Sequence, residues 1–213
     1  WEAAYFDVNE ELVLRLAKEA LECGIDTVVL DDGWFGNNPP RNNGKTTLGD
    51  WDISKEKLPN GIRPLIDLAH NNGMKFGIWI EPEMVNLDSD LYRAHPDWVL
   101  RHTEFEPTYG RGKTQMLLDL TNPKVQDHVF KVVDDLLTAN PDIYYIKWDN
   151  NMSMHNAHSQ YLPSELQSNL YVDFTLALEK ILKRIRAKYP HVVIQLCASG
   201  GGRLNYGYMP YFQ

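Results

Sequence analysis

The stretch Ile143-Tyr144-Tyr145-Ile146-Lys147-Trp148-Asp149 reads as a buried β-strand. It is a β-branched and aromatic run interrupted by one lysine and closed by an acid. Strand side chains alternate faces, so Tyr145, Lys147 and Asp149 point one way and Tyr144, Ile146 and Trp148 the other. Turning Lys147 and Asp149 outward would bury two charges among the helices that cover a parallel sheet. They belong instead at the mouth beyond the strand's C-terminal end. There the ammonium of Lys147 can oppose the burial that raises the pKa of Asp149. A structural ion pair at a strand end explains the spacing equally well.

The same pattern repeats on both sides. Thr27–Leu30 closes on Asp31-Asp32-Gly33-Trp34, Lys75–Ile80 closes on Glu81-Pro82-Glu83, and Gln115–Leu120 reads as a fourth strand carrying Asp119. Trp1–Phe6 reads as a short first strand, and Val192–Cys197 as a sixth that closes on Ser199-Gly200-Gly201-Gly202. Helical patterns lie between them. Asn9 caps a helix with Leu12, Leu16 and Ala20 inward and Gly24 as its stop. Further helices are expected over Ile62–Asn71, Asp88–His95, Pro123–Ala139 and Ser164–Tyr189. This alternation marks an α/β fold with a parallel sheet. Polar residues beyond strand C-termini suit a β/α barrel and an open doubly wound sheet alike. No Gly-x-Gly-x-x-Gly opens the first helix. The expectation is therefore a (β/α)8 TIM-type barrel with about six of eight units present, one domain over residues 1–213, incomplete at its C-terminus.

With 43% hydrophobic and 23% charged residues, the 213-residue chain is an ordinary globular sequence. A net charge of −8 argues against nucleic acid or an anionic membrane as partner. No apolar run approaches the roughly 18 residues of a membrane span. The chain starts at Trp1 without a basic-then-apolar leader, which leaves localisation open. The two cysteines, Cys23 and Cys197, fit a reduced compartment better than a disulfide and tilt it towards the cytoplasm. No cofactor or metal is expected: His155 and His158 sit three apart in a polar loop without a third ligand.

Adjacent acids such as Asp31 and Asp32 have a use in binding sugars, since each carboxylate can accept two hydroxyl hydrogen bonds. Loop caps are the plain alternative, and a metal site lacks a third ligand type. Trp51 offers a flat apolar face of the kind sugar rings lie on, although a lone tryptophan is more often core. Gly200–Gly202 lets backbone approach a ligand closely, or serves an ordinary turn. It lacks the Gly-Lys-Ser/Thr ending of a phosphate loop.

Several motifs run in order along the whole chain: Trp-Glu-Ala-x-Tyr-Phe at 1–6, Leu-Asp-Asp-Gly-Trp-Phe-Gly at 30–36 and Gly-Asp-Trp at 49–51. They continue with Lys-Leu-Pro-Asn-Gly at 57–61, Phe-Gly-Ile-Trp-Ile-Glu-Pro-Glu-Met-Val at 76–85 and His-Pro-Asp-Trp-Val at 95–99. Ile-Lys-Trp-Asp at 146–149 and Cys-Ala-Ser-Gly-Gly-Gly-Arg at 197–203 complete the set. Together they resemble the catalytic barrel of glycoside hydrolase family 36, the bacterial α-galactosidases. The resemblance implies a retaining hydrolase that releases terminal α-linked galactose through a covalent intermediate on Asp149. It implies that Asp31 and Asp32 hold the galactose hydroxyls at positions 4 and 6, and that Trp51, Lys147, Asn151, Cys197 and Gly200 line the sugar subsite. Arg111 is similar to a pocket arginine, in a loop that aligns loosely. The implied partners are α-galactoside oligosaccharides.

Two positions depart from the family pattern. Met152 stands where an arginine usually follows Asn151, and Leu204-Asn205 replaces Phe-Asp, which bears on substrate preference more than on chemistry. The family's general acid/base lies in a Trp-x-Ser-Asp stretch that does not occur before Gln213. The 213 residues are therefore expected to be inactive alone, and open strand edges to favour a homo-oligomer. An α-N-acetylgalactosaminidase or a galactosyl transferase such as raffinose synthase fits the same resemblance. A Schiff-base lyase using Lys147 and a non-catalytic sugar-binding fragment are the rival classes.

Overall fold

The computed structural model describes residues 1–110 and 113–213. Arg111 lies outside the described residues. The strands are β1 Thr27–Leu30, β2 Lys75–Ile80, β3 Met84–Asn86, β4 Gln115–Leu117, β5 Ile143–Trp148 and β6 Val193–Leu196. The helices are α1 Glu10–Glu22, α2 Arg63–Asn71, α3 Asp90–Ala94, α4 Pro123–Ala139 and α5 Leu170–Lys188.

Local chemistry sets most of these boundaries. Asn9 Oδ1 accepts the Leu12 N–H at 2.9 Å and opens α1. Gly24, at φ +75°, closes it, with the Ile25 N–H on the Ala20 carbonyl at 3.0 Å. The buried residues of α1 are Val13 and Ala17, while Leu12, Leu16 and Ala20 are only half-buried, so the inward face is turned one position from that expected. Pro123 sits in the first turn of α4 after Asn122, whose side chain accepts the Lys124 N–H. Val125, Val129, Val133 and Leu137 then fall on one buried stripe. Ile181, Leu182 and Ile185 of α5 are also fully buried. Each such side chain contributes about 1.5–3 kcal/mol relative to exposure.

The main sheet has the order β1-β2-β5-β6, with every neighbouring pair parallel. Within it β2 is buried from Phe76 to Ile80, as expected for a strand covered on both faces. Trp79 pairs with Lys147 and Lys147 with Gln195, so the strands end side by side. The ladder runs one step further: the Asp149 N–H donates to the Ile80 carbonyl and the Cys197 N–H to the Trp148 carbonyl, both at 2.8 Å.

Two expected strands do not join this sheet. Trp1–Phe6 forms turns rather than a strand. The Ala4 and Tyr5 N–H groups both donate to the Trp1 carbonyl, at 3.1 and 2.7 Å, and Trp1 packs edge-on against Tyr5 and Phe6. Gln115–Leu120 keeps only three strand residues, which pair antiparallel with β3 in a separate two-stranded sheet. The place beside β2 is taken by β5 along Phe76–Ile80. The described residues thus place four strands in the parallel sheet, fewer than the sequence count. Ser164–Tyr189 also divides, into a 3-10 segment over Ser164–Asn169 and then α5. Among the described residues no helix is long and apolar enough to cross a membrane.

Candidate active site

A cavity of about 540 Å³ opens where β1, β5 and β6 end. Asp31, Asp32, Lys147, Asp149, Asn151, Cys197 and Gly200 line it, joined by Trp1, Glu2, Trp79 and Ser199. Parallel neighbours with aligned register point to the same side of a sheet. Trp79 therefore rises beside Lys147, and Asp149 follows two residues on.

Asp149 is 6% exposed and is held by donors. Its Oδ2 accepts Trp79 Nε1–H at 3.1 Å and Asn151 Nδ2–H at 2.7 Å, and its Oδ1 accepts the Asn150 N–H at 3.0 Å. Burial alone would raise its pKa, but the donors Asn151, Cys197, Trp79 and Asn150 outweigh it and hold the carboxyl below its usual 3.8. Lys147 is shared: its Nζ lies 2.7 Å from Asp31 Oδ2 while its charge still couples to Asp149, whose main ionising partners are neutral donors. Burial tends to lower the Lys147 pKa, but its bond to Asp31 and nearby negative charges hold it above the ordinary value. That speaks against a Schiff-base amine, which must lose its proton near neutrality.

Glu81, one of the acids at the strand ends, has no site role in the sequence reading. It is 1% exposed, and its Oε1 accepts the Asn151 N–H at 2.5 Å. Burial, then the charge of Asp149, push its carboxyl up to about 8, against the opposing pull of the Asn151 N–H. At neutral pH it is therefore protonated, and Asn151 is gripped from both ends: its N–H on Glu81 and its amide on Asp149. Ser199 Oγ–H completes the grip by donating to Asn151 Oδ1 at 2.6 Å.

Asp32 is 1% exposed and takes both arms of Arg41, from Nε at 3.0 Å and Nη2 at 3.1 Å. Trp51 is not among the cavity-lining residues. It stands behind, its ring 4.6 Å from Phe35 and 6.1 Å from Trp79. The two cysteines are free, Cys23 exposed and Cys197 buried beside Asp149. Glu83 and Asp119 are structural. Glu83 binds Trp148, Asn150 and Arg203, while Asp119 binds Thr121 and Ser159. No metal-holding group of His, Cys, Asp or Glu occurs among the described residues.

Met152 and Asn205, the two departures, line an adjoining cavity of about 530 Å³ that shares Asn151 and Ser199 with the first. A smaller cavity of about 280 Å³, lined by Phe76 and Ile143, lies near the opposite strand ends. It has no comparable cluster of carboxylates, and Lys75 there sits over the Tyr144 ring.

The melibiase family model matches residues 1–213. The chain belongs to the melibiase family. It is 44% identical over 211 residues to the bifunctional alpha-galactosidase/sucrose kinase AgaSK of Mediterraneibacter gnavus, covering 99% of this chain and 21% of that protein. The crystal structure of the alpha-galactosidase from Lactobacillus brevis is similar at TM-score 0.93 and 42% identity, covering 100% of this chain and 28% of that one. A variant of the GH36 alpha-galactosidase AgaA from Geobacillus stearothermophilus, solved in complex with stachyose, matches at TM-score 0.91 and 38% identity over 100% of this chain and 29% of that one. This melibiase chain thus spans between 21% and 29% of the length of these relatives.

Of the cavity residues without a sequence-based assignment in this melibiase chain, Trp79 is the most accessible to reasoning. Strand alternation puts it two positions before Glu81 on the mouth-facing side. Ser199, Trp1 and Glu2 give no such signal, because loop residues have no period.

Proposed function

We propose that the full-length protein carrying these residues is a retaining α-galactosidase, with Asp149 as its nucleophile. In this reading the parallel sheet is part of a (β/α)8 barrel and residues 1–213 belong to one catalytic domain. The observation that carries it is the Asp149 carboxylate, ionised in a polar cavity by Trp79, Asn151 and Asn150 rather than neutralised by a cation. A carboxylate held this way can attack an anomeric carbon, where one locked to lysine would be blunted. The attack forms a glycosyl ester as the leaving oxygen departs with a proton, and water later hydrolyses the ester.

Asp31 and Asp32 offer acceptors, and Lys147 a donor, for sugar hydroxyls. A site built to pair an axial hydroxyl rejects the epimer that leaves those groups unpaired. α-Galactoside oligosaccharides are the substrates this supports, in line with the stachyose complex of the AgaA variant. Cys197 and Gly200 complete the subsite wall, and Trp51 contributes through Trp79 rather than by contact. The proton donor comes from outside residues 1–213, so these residues alone leave unactivated galactosides uncleaved.

The test is labelling of the full-length protein with an activated fluoro-galactoside. Mass spectrometry is expected to place the sugar on Asp149, and Asp149→Asn to abolish both label and turnover with the fold intact. A label on Glu81 or Asp119 would overturn the assignment.

A further inference from the structure

Arg41 is wholly buried, yet every edge of its guanidinium is used. Nε and Nη2 hold the two oxygens of Asp32, while Nη1 donates to the Thr46 carbonyl at 2.7 Å and to Asn86 Oδ1 at 2.8 Å. The planar group lies by the rings of Phe6 and Phe35, at 5.3 and 5.5 Å from their centroids. Its backbone carbonyl accepts Lys57 Nζ–H at 2.7 Å, and Asn86 is itself fixed by the Leu48 N–H and Thr114 Oγ1. The guanidinium is therefore held from several independent directions.

An aspartate carboxylate on its own turns broadly about its last torsion. A two-pronged fork fixes that plane. Each Asp32 oxygen takes one prong of Arg41, so the plane of a carboxylate in the cavity wall is set by a residue behind that wall. Asp31 is held differently, by the flexible ammonium of Lys147 on Oδ2 and by the Asp32 backbone N–H on Oδ1 at 2.8 Å, with no two-pronged fork. Arg41 does not line the cavity, so it reaches a ligand only through Asp32.

We propose that Arg41 is a positioning residue that sets sugar selectivity by locking the Asp32 carboxylate. The inference rests on the galactoside reading of the site and adds a residue to which the sequence motifs do not point. Arg41→Lys keeps the charge and removes the fork.

In the full-length protein, the kcat/KM of Arg41→Lys on an aryl α-galactoside is expected to fall at least about tenfold. The preference for the galactoside over the corresponding α-glucoside is expected to shrink by a similar factor, with the circular-dichroism spectrum unchanged. In an Asp32→Asn background the same change is expected to cost no more than about twofold, because no carboxylate remains to orient. Asn86→Ala leaves the fork and the Nη1 bond to the Thr46 carbonyl but removes the other Nη1 acceptor, and is expected to lower the preference by a smaller factor. It also serves if Arg41→Lys does not fold. An unchanged preference in these variants, or full additivity with Asp32→Asn, would overturn the proposal and leave Arg41 as scaffold. A wild-type protein without α-galactosidase activity would instead overturn the reading of the site, and the selectivity claim with it.

Discussion

Replacing Glu81 with glutamine tests whether a buried carboxyl beside Asp149 is neutral at working pH. The folded carboxyl sits at about 8 rather than 4.5. Between those values the folded protein keeps a proton that the unfolded chain has released. Stability therefore falls as pH rises, at about 1.4 kcal/mol per pH unit for this one group. The contribution is fully present below about 4.5, is lost progressively as pH rises, and is gone above about 8. The whole interval amounts to about 5 kcal/mol.

Glu81→Gln keeps an oxygen acceptor for the Asn151 N–H and nearly the same shape, without the titrating proton. The variant-minus-wild-type unfolding free energy should thus climb between about pH 5 and about pH 8 and then level off, all other groups cancelling in the difference. Urea unfolding of both full-length proteins, followed by tryptophan fluorescence, measures it. The infrared C=O band of a protonated carboxyl, present in wild type near neutrality and absent in the variant, is an independent readout. A difference that stays flat across this range would refute a neutral Glu81, and with it the idea that Asp149 is spared a negative charge at Glu81.

Trp79→Phe removes the 3.1 Å donor to Asp149 Oδ2, so the Asp149 pKa should rise and, on the proposed mechanism, the acidic limb of kcat/KM should move to higher pH. A rate loss of about tenfold or more is expected from a hydrogen bond to a charged group, and an unmoved limb would count against the donor's role. In Gly77→Ala the new Cβ would lie 2.8 Å from Tyr145 Cβ and 2.9 Å from its carbonyl oxygen, on the strand that carries Asp149. A loss of about 1–3 kcal/mol in denaturant unfolding is expected, and an unchanged midpoint would mean the strands can part at no cost.

The strands Thr27–Leu30, Lys75–Ile80 and Ile143–Trp148 and the helix Pro123–Ala139 carry their own evidence in the chain. Apolar runs, β-branching, Asn and Pro caps and Gly stops act within a few residues of where they stand. The alternation that puts Lys147 and Asp149 on one face is equally local, and both do face the cavity. The α/β class and the clustering of acids at one sheet end are legible for that reason. Trp1–Phe6 reads as a strand because aromatic side chains favour one, but a strand exists only where a ladder partner does.

The type of most elements, and the strand-end residues that reach the mouth, can thus be read from the chain alone, since both depend on backbone period and caps. Pairing cannot. Packing assigns Gln115–Leu117 to β3, because β5 occupies the place beside β2. It brings Lys147 to Asp31, 116 positions away, and Arg41 to Asp32 from a loop without period, and it gives Glu81 its proton. Charge pairing and desolvation depend on distances between segments remote in the chain, and those distances are set when the core packs.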